Sequence, residues 1–442
     1  MDKKDLSPPR LAALRHRDFR LLWIGQLFSS VGSQMQIIGV NWHLYVLLQG
    51  QKDTFSLFSW HFALNAQALG LGILGAVRVI PIFVFALLGG VLADRLDRRR
   101  LILWAQLVAI LSTLLLAVVT FTGHISVFWL YGLTAIDVAI SSFNEPAQNA
   151  FFPELVPDEH LANATTLYSL LWQIGTIAGP PLASVLIAST NQIGFVYLFN
   201  GISFAIVLGA VLPIQYRGTM SISEEPLNWQ VMKDGLRFVM RSRMVWSTML
   251  LDFFATFFST ARTMLPFVAD QILHAGVQGY GILAVAQPVG AVLTGVVLAL
   301  KKHLRHQGLL LLISVAVYGV ATALFGITPY FVLSFLLFAL TGVGDTVSTI
   351  IRGMIRQQWT PNAYRGRVNG VHMLLAFGGP QLGELESGLV AAFAGIPVTI
   401  FIGGIATILL VGWVAWKYPD LRRYAPPPIF SNEEPVALCP EV

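Results

Sequence analysis

Charge is what this sequence is short of. Only 12% of its 442 residues are charged, against about a quarter in an ordinary soluble domain, while 55% are apolar and the mean hydropathy is +0.68. Twenty-eight Lys and Arg with 23 Asp and Glu cannot clothe a water-soluble globule of this length, which excludes a soluble enzyme. Cysteine is nearly absent too. Cys439 stands alone in a proline-rich tail, so neither a disulfide nor a thiolate metal site can form within the chain. There is no P-loop, no H-E-x-x-H and no paired histidine in the apolar stretches, so no metal or cofactor is expected and no ATP use. The net charge of +5 is scattered between apolar runs, which points to a lipid surface and away from nucleic acid.

Long uncharged runs fill the chain instead. A helix needs about 20 residues to cross about 30 Å of hydrocarbon, and twelve segments qualify: 20–48, 67–93, 101–122, 125–150, 161–189, 193–213, 244–272, 278–300, 308–327, 329–356, 366–394 and 396–416. The expected fold is therefore an all-α integral membrane protein. Every second connection is basic, including the N-terminus with Arg15, Arg17 and Arg20, the cluster Arg95, Arg98, Arg99 and Arg100, and Lys417, Arg422 and Arg423. Because cytoplasmic loops hold the positive excess, both termini are expected in the cytoplasm of a multi-pass plasma-membrane protein. The division reads as a cytoplasmic segment 1–19, six spans over 20–213, a linker 214–243, six spans over 244–416 and a disordered tail 417–442. Pro157 and Pro361 occupy similar places after spans 4 and 10, which marks the two sets of six as a repeat.

The sharpest local signal is the run from Gly89 to Arg100 at the end of span 2: Gly90, Asp94, Arg95, Arg98 and Arg99 combine a small residue for close helix approach, an acid and a basic anchor. This resembles the loop 2–3 signature of the major facilitator superfamily, with Asp97 standing where the usual pattern has glycine. Three further runs, Arg17 to Trp23, Glu154 to Pro157 with Leu161 and Asn163, and Arg365 to Val368, resemble the branch of that superfamily that holds the enterobactin exporters and drug-efflux proteins. The resemblance implies two pseudo-symmetric six-helix bundles, alternating access and proton-driven efflux of amphipathic organic molecules by a monomer, with the proton gradient as energy source. The loop 2–3 residues would then be a cytoplasmic gate. Gly175, Gly179 and Pro180 resemble the antiporter signature of span 5, with glycines for close contact and prolines for bending.

Span 4 lacks the arginine common among proton-coupled drug antiporters and carries acids in its place. An ionisable group at membrane depth is costly unless it faces a cavity or a partner. Glu384, Asp137, Asp345, Glu386, Asp252, Arg78, Arg262 and Glu145 are therefore the candidates for proton coupling or cavity charge. Glu384 leads, with Asp137 and Asp345 next, since a carboxyl sheltered from water can exchange one proton per access cycle. Glu145 has a competing reading as the partner of a loop arginine, and permanent structural pairing competes for the others. On span 1, Gln26, Ser30, Gln34 and Asn41 form one stripe at helical spacing and are expected to line the cavity. Trp172, Phe253 and Phe257 would add an aromatic wall, lipid contact being the plain alternative. An uncoupled uniporter or an importer of a small metabolite remains the rival reading, and a membrane-embedded enzyme or lipid-handling protein a remote one.

Overall fold

The computed structural model describes residues 11–50, 52–57, 60–95, 97–214, 229–258, 261–301 and 306–424, with side chains described except at 52–57, 60–64, 86–95, 229–232 and 363. Helix dominates throughout. A 3-10 turn (Ala12–Arg15) leads into α1 (Arg17–Leu47), followed by a hairpin of β1 (Lys52–Leu57) and β2 (Trp60–Asn65), then α2 (Ala66–Arg95), α3 (Arg98–Phe121), α4 (Val127–Glu154), α5 (Leu161–Thr190) and α6 (Gly194–Val211). After these come α7 (Trp229–Arg241), α8 (Arg243–Phe258), a 3-10 turn (Arg262–Met264), the short α9 (Leu265–Phe267), a π-helical turn (Val268–Ile272) and α10 (Gly276–Leu300). The remaining helices are α11 (Gln307–Ile327), α12 (Phe331–Trp359), α13 (Arg365–Ala394), α14 (Ile396–Lys417) and α15 (Pro419–Arg423).

The twelve expected spans are all found as helical segments, and ten are long and apolar enough by composition alone to cross a membrane. The other two, α1 and α13, are as long as any but more polar, with Gln26, Gln34, Gln36, Asn41 and Glu384 buried along them. Four details depart from the sequence reading. The connection 52–65 is an antiparallel hairpin in the register Lys52↔Asn65 to Leu57↔Trp60. Span 7 is a broken element, α8 followed by a chain of short turns. The linker contains the amphipathic α7, whose Val239 joins Val245, Met249, Val368 and Val371 in one apolar cluster. The start of the tail is folded: α15 sets Leu421 against Gly308, where even a methyl group would collide with the Leu421 carbonyl.

The chain forms two compact units, Met1–Gln51 with Ala76–Pro226 and Leu265–Val285, and Lys52–Gly75 with Leu227–Met264 and Ala286–Val442. The boundary expected at the linker is thus modified by two short segments, each grouped with the other set of helices. In the first unit α1 is the hub, and small residues set its contacts. A side chain at Gly175 of α5 would strike Ser30, one at Gly179 would lie 2.5 Å from the Gln34 Cβ, and one at Gly32 would lie 2.6 Å from both the Asn200 Oδ1 and the Ser203 Oγ of α6. In the second unit the opening of α2 crosses α13 at Gly72 and Gly388, again with no room for a Cβ, and α11 crosses α14 at Gly319 and Gly404. With lipid outside, close backbone approach of this kind replaces hydrophobic driving force.

Candidate functional site

In the first unit a polar chain runs through the middle of α1. Gln36 donates to Asp137 Oδ2 of α4 at 3.3 Å and accepts from Asn200 Nδ2 of α6 at 2.7 Å, and Ser203 in turn donates to Asn200 Oδ1 at 3.0 Å. Arg78 of α2 is the cation whose field acts on Asp137, and it donates to Asn41 Oδ1 at 2.9 Å. Asn41 also donates to the Tyr280 hydroxyl at 3.4 Å, while the Trp42 ring stacks on Tyr280 at 5.9 Å. One turn further, Tyr45 donates to Asp270 Oδ2 at 2.6 Å. The expected stripe on α1 therefore splits. Ser30 donates to the Leu171 carbonyl at 2.9 Å and Gln34 packs against Gly179, so both take part in the α1–α5 contact. Asn41 stays with the charged groups, and Gln26 is buried with its Nε2 unpaired among the described residues.

In the second unit the charges converge on one guanidinium. Arg352 of α12 lies 2.9 Å from Asp252 Oδ1 of α8 and 3.8 Å from Asp345 Oδ1 two turns back on its own helix, and it donates to Thr349 Oγ1 at 2.9 Å. His372 of α13 stands 3.8 Å from the other Asp252 oxygen. Arg352 and Asp252 have side chains only 6% and 12% exposed, whereas Asp345 is 45% exposed. Asp345, Ser348 and Arg352 share a small cavity with Thr256 and Tyr318. The same guanidinium therefore faces one sheltered acid and one open acid.

Other expected residues fall elsewhere. Glu384 is buried where α13 meets Gly75 of α2, and α13 runs unbroken past its glycines, of which Gly388 makes the close contact with Gly72 of α2. Glu386 accepts from Ser387 at 3.3 Å on the half-exposed side. Arg262 lies in the turn after α8. Glu145 is exposed on α4, and the loop arginine Arg98 pairs with Glu154. Trp172 is 59% exposed on α5 beside Leu170 and Ile174. Phe253 and Phe257 stack at 5.9 Å along α8, with Gly379 against Phe253.

The side chains of Asp94 and Arg95 and the surroundings of Gly90 lie outside what the structure describes. The rest of their motif forms a clasp. Arg98 pairs with Glu154 at the end of α4, Arg99 donates to the Leu212 carbonyl at 2.7 Å past the end of α6, and Asp97 caps α3 by accepting from the Arg100 amide at 3.2 Å. Nearby, Ala13 donates to Asn163 Oδ1 at 3.0 Å, His16 and His160 share a hydrogen bond of 3.0 Å, and Phe19 meets Phe152 edge to face. The loop 2–3 run and the runs around Arg17 and Glu154 thus come together at one end of the first unit, whereas Arg365 to Val368 belongs to the second.

Sequence reasoning missed Arg352, His372, Asn200 and Tyr280. Arg352 had a readable signal, since seven residues after Asp345 returns a helix to almost the same face. The others are joined to the site across long sequence separations that no local pattern reveals.

The comparisons agree with this architecture. Residues 9–425 match the family model described as transmembrane secretion effector. The chain is 26% identical over 422 residues to the enterobactin exporter EntS of Escherichia coli O81 (strain ED1a), covering 95% of this chain and 96% of that one, and equally to EntS of Escherichia fergusonii. Among solved structures it superposes on the nucleoside transporter NupG with a TM-score of 0.69 at 14% identity, covering 92% and 99% of the two chains. A POT family transporter in complex with 5-aminolevulinic acid gives 0.69 at 13% identity, covering 95% and 98%. The all-α membrane fold, the twelve helical segments and the transporter family converge: this chain belongs to the transmembrane secretion effectors of the major facilitator superfamily and is a secondary transporter, not an enzyme.

Proposed function

We propose that the protein exports amphipathic organic molecules, siderophore-like or drug-like, from the cytoplasm in exchange for protons, with both termini on the cytoplasmic side. End-to-end similarity to enterobactin exporters supports the direction and cargo class. The observation that carries the coupling is the unequal pair of acids on Arg352. Asp252 is close and sheltered, so it holds the guanidinium in place, whereas Asp345 is farther away and half-exposed. A proton arriving at Asp345 cancels its attraction for Arg352 and leaves the Asp252 pair intact. Arg352 then redistributes between its neighbours, and α12 feels a different set of contacts in the two protonation states. Coupling needs such a difference, because a ligand shifts a conformational equilibrium only through unequal affinity for its states. Asp137, held by the neutral amide of Gln36 and facing Arg78, gives the first unit a second exchangeable carboxyl.

The test is proton movement in proteoliposomes under an imposed pH gradient, with a panel of amphipathic drugs and catecholate siderophores. The expected result is substrate-dependent proton flux that Asp345→Asn abolishes and Asp137→Asn reduces, with substrate binding kept. Substrate movement without protons, or full gradient-driven transport in a chain carrying Asp345→Asn, Asp137→Asn and Glu384→Gln together, would overturn it.

A further inference from the structure

Where α12 gives way to α13, the second unit holds a cavity of about 310 Å³ lined by Arg356, Gln357, Thr360, Arg365, Val368 and Asn369. Its lining offers two guanidinium groups, two carboxamides and a hydroxyl, and no carboxylate. Two of these polar atoms are buried without a partner among the described residues, the Thr360 Oγ1 in a residue 4% exposed and the Arg356 Nε. Buried polar atoms are almost always satisfied, so such a pair marks a place where something else completes the bonding.

Packing alone does not demand this chemistry. Counted from Pro361, Arg356, Thr360 and Val368 hold the places that Phe152, Val156 and Ala164 hold relative to Pro157, and those three are buried in an apolar cluster. At two of these three places, Arg356 and Thr360, the second half has donors where the first has apolar filling. The 30-residue α13 starts here, and its N-cap, Tyr364, contributes no side-chain bond, so the positive end of the helix adds to the field. The acid acting on Arg356 is Asp252, which is itself engaged by Arg352 at 2.9 Å, so the Arg356 charge is not consumed.

We propose that this cavity binds a phosphate group, presented by an anionic lipid headgroup or by a small free phosphorylated molecule. Planar guanidinium groups suit phosphate oxygens, the Thr360 hydroxyl supplies a donor, and the position at a helix end places the site at headgroup depth. The proposal stands independently of what the protein transports.

It is tested by calorimetric titration of the full-length protein in detergent with dihexanoyl phosphatidylglycerol, with glycerol phosphate and with inorganic phosphate. Saturable binding of at least one probe is expected, weakened about tenfold or more by Arg365→Gln and several-fold by Thr360→Val. Binding of the lipid alone identifies a headgroup site; binding of glycerol phosphate or inorganic phosphate as well shows that the phosphate group suffices. Thr360→Val is nearly isosteric, so its unfolding temperature in the absence of probe reports that the fold is intact. Failure of all three probes to bind the unaltered protein, or undiminished affinity in both variants, overturns the proposal.

Discussion

The connections after Pro157 and Pro361 are built on one plan and finished in opposite ways. Each proline opens a 3-10 turn, Asp158–His160 or Asn362–Tyr364, with nearly the same backbone angles, and each turn feeds a 30-residue helix. Around the first, the gaps are closed by Phe19, Phe152, Val156 and Ala164, and the surface is tied by Arg98 to Glu154 and by His16 to His160. Around the second, Gln358 stands where Glu154 would be and accepts from Tyr424, and the interior is the polar cavity. A repeated backbone therefore does not carry a repeated job. The first connection works as a fastening, and the second keeps unsatisfied donors that a fastening would not need.

The same divergence holds at mid-helix, and there the largest effect is expected. Asp137 takes its hydrogen bond from a neutral carboxamide with Arg78 acting on it through its field, but Asp252 and Asp345 lie within ion-pair distance of Arg352. Arg352→Gln leaves a sheltered carboxylate without its cation and is expected to cost about 3–5 kcal/mol, seen as a large drop in unfolding temperature in detergent. Adding Asp252→Asn should recover most of the loss. An unchanged unfolding temperature in the single variant would show that the guanidinium does not hold α8 to α12.

A pair of reciprocal substitutions sharpens the contrast between the two connections. Val156→Thr buries a hydroxyl in the apolar cluster and is expected to cost about 1–3 kcal/mol. Thr360→Val removes a hydroxyl that has no partner among the described residues, so it should be neutral or slightly stabilising in phosphate-free buffer. Equal losses at both positions would mean that Thr360 is satisfied and that the two connections are alike.

The fold was legible because lipid imposes simple demands: uncharged runs gave the twelve helical segments, and Pro157 with Pro361 gave the repeat. The hairpin at 52–65 and α7 escaped because neither is long and apolar, and α7 shows its character only against Val368 and Val371. The site was legible as a set of costly residues and not as pairings. Asp137 and Asp345 looked like counterparts, yet counted from the prolines they align with Thr341 and Ser141, one turn out of step. Asp137 takes its hydrogen bond from Gln36 of α1, whereas the cation beside Asp345 is Arg352 of its own helix. Glu384 drew attention by being a buried acid, but a single sequence does not say that Gly75 would be pressed against it.

The smallest effect concerns Asp97, the one departure from the loop 2–3 pattern. Its φ of −59° is open to any residue, so nothing in the turn calls for glycine. What the carboxylate contributes is a cap on the first turn of α3, through the Arg100 amide, together with its charge at the positive end of that helix. Asp97→Ala should lower stability by about 1 kcal/mol, and Asp97→Gly by only a few tenths, since glycine tolerates the cap position. Thermal unfolding of both variants in detergent separates the two outcomes. If alanine and glycine cost the same, the cap is not the source of stability, and the Arg98 to Glu154 pair alone fastens this end of the first unit.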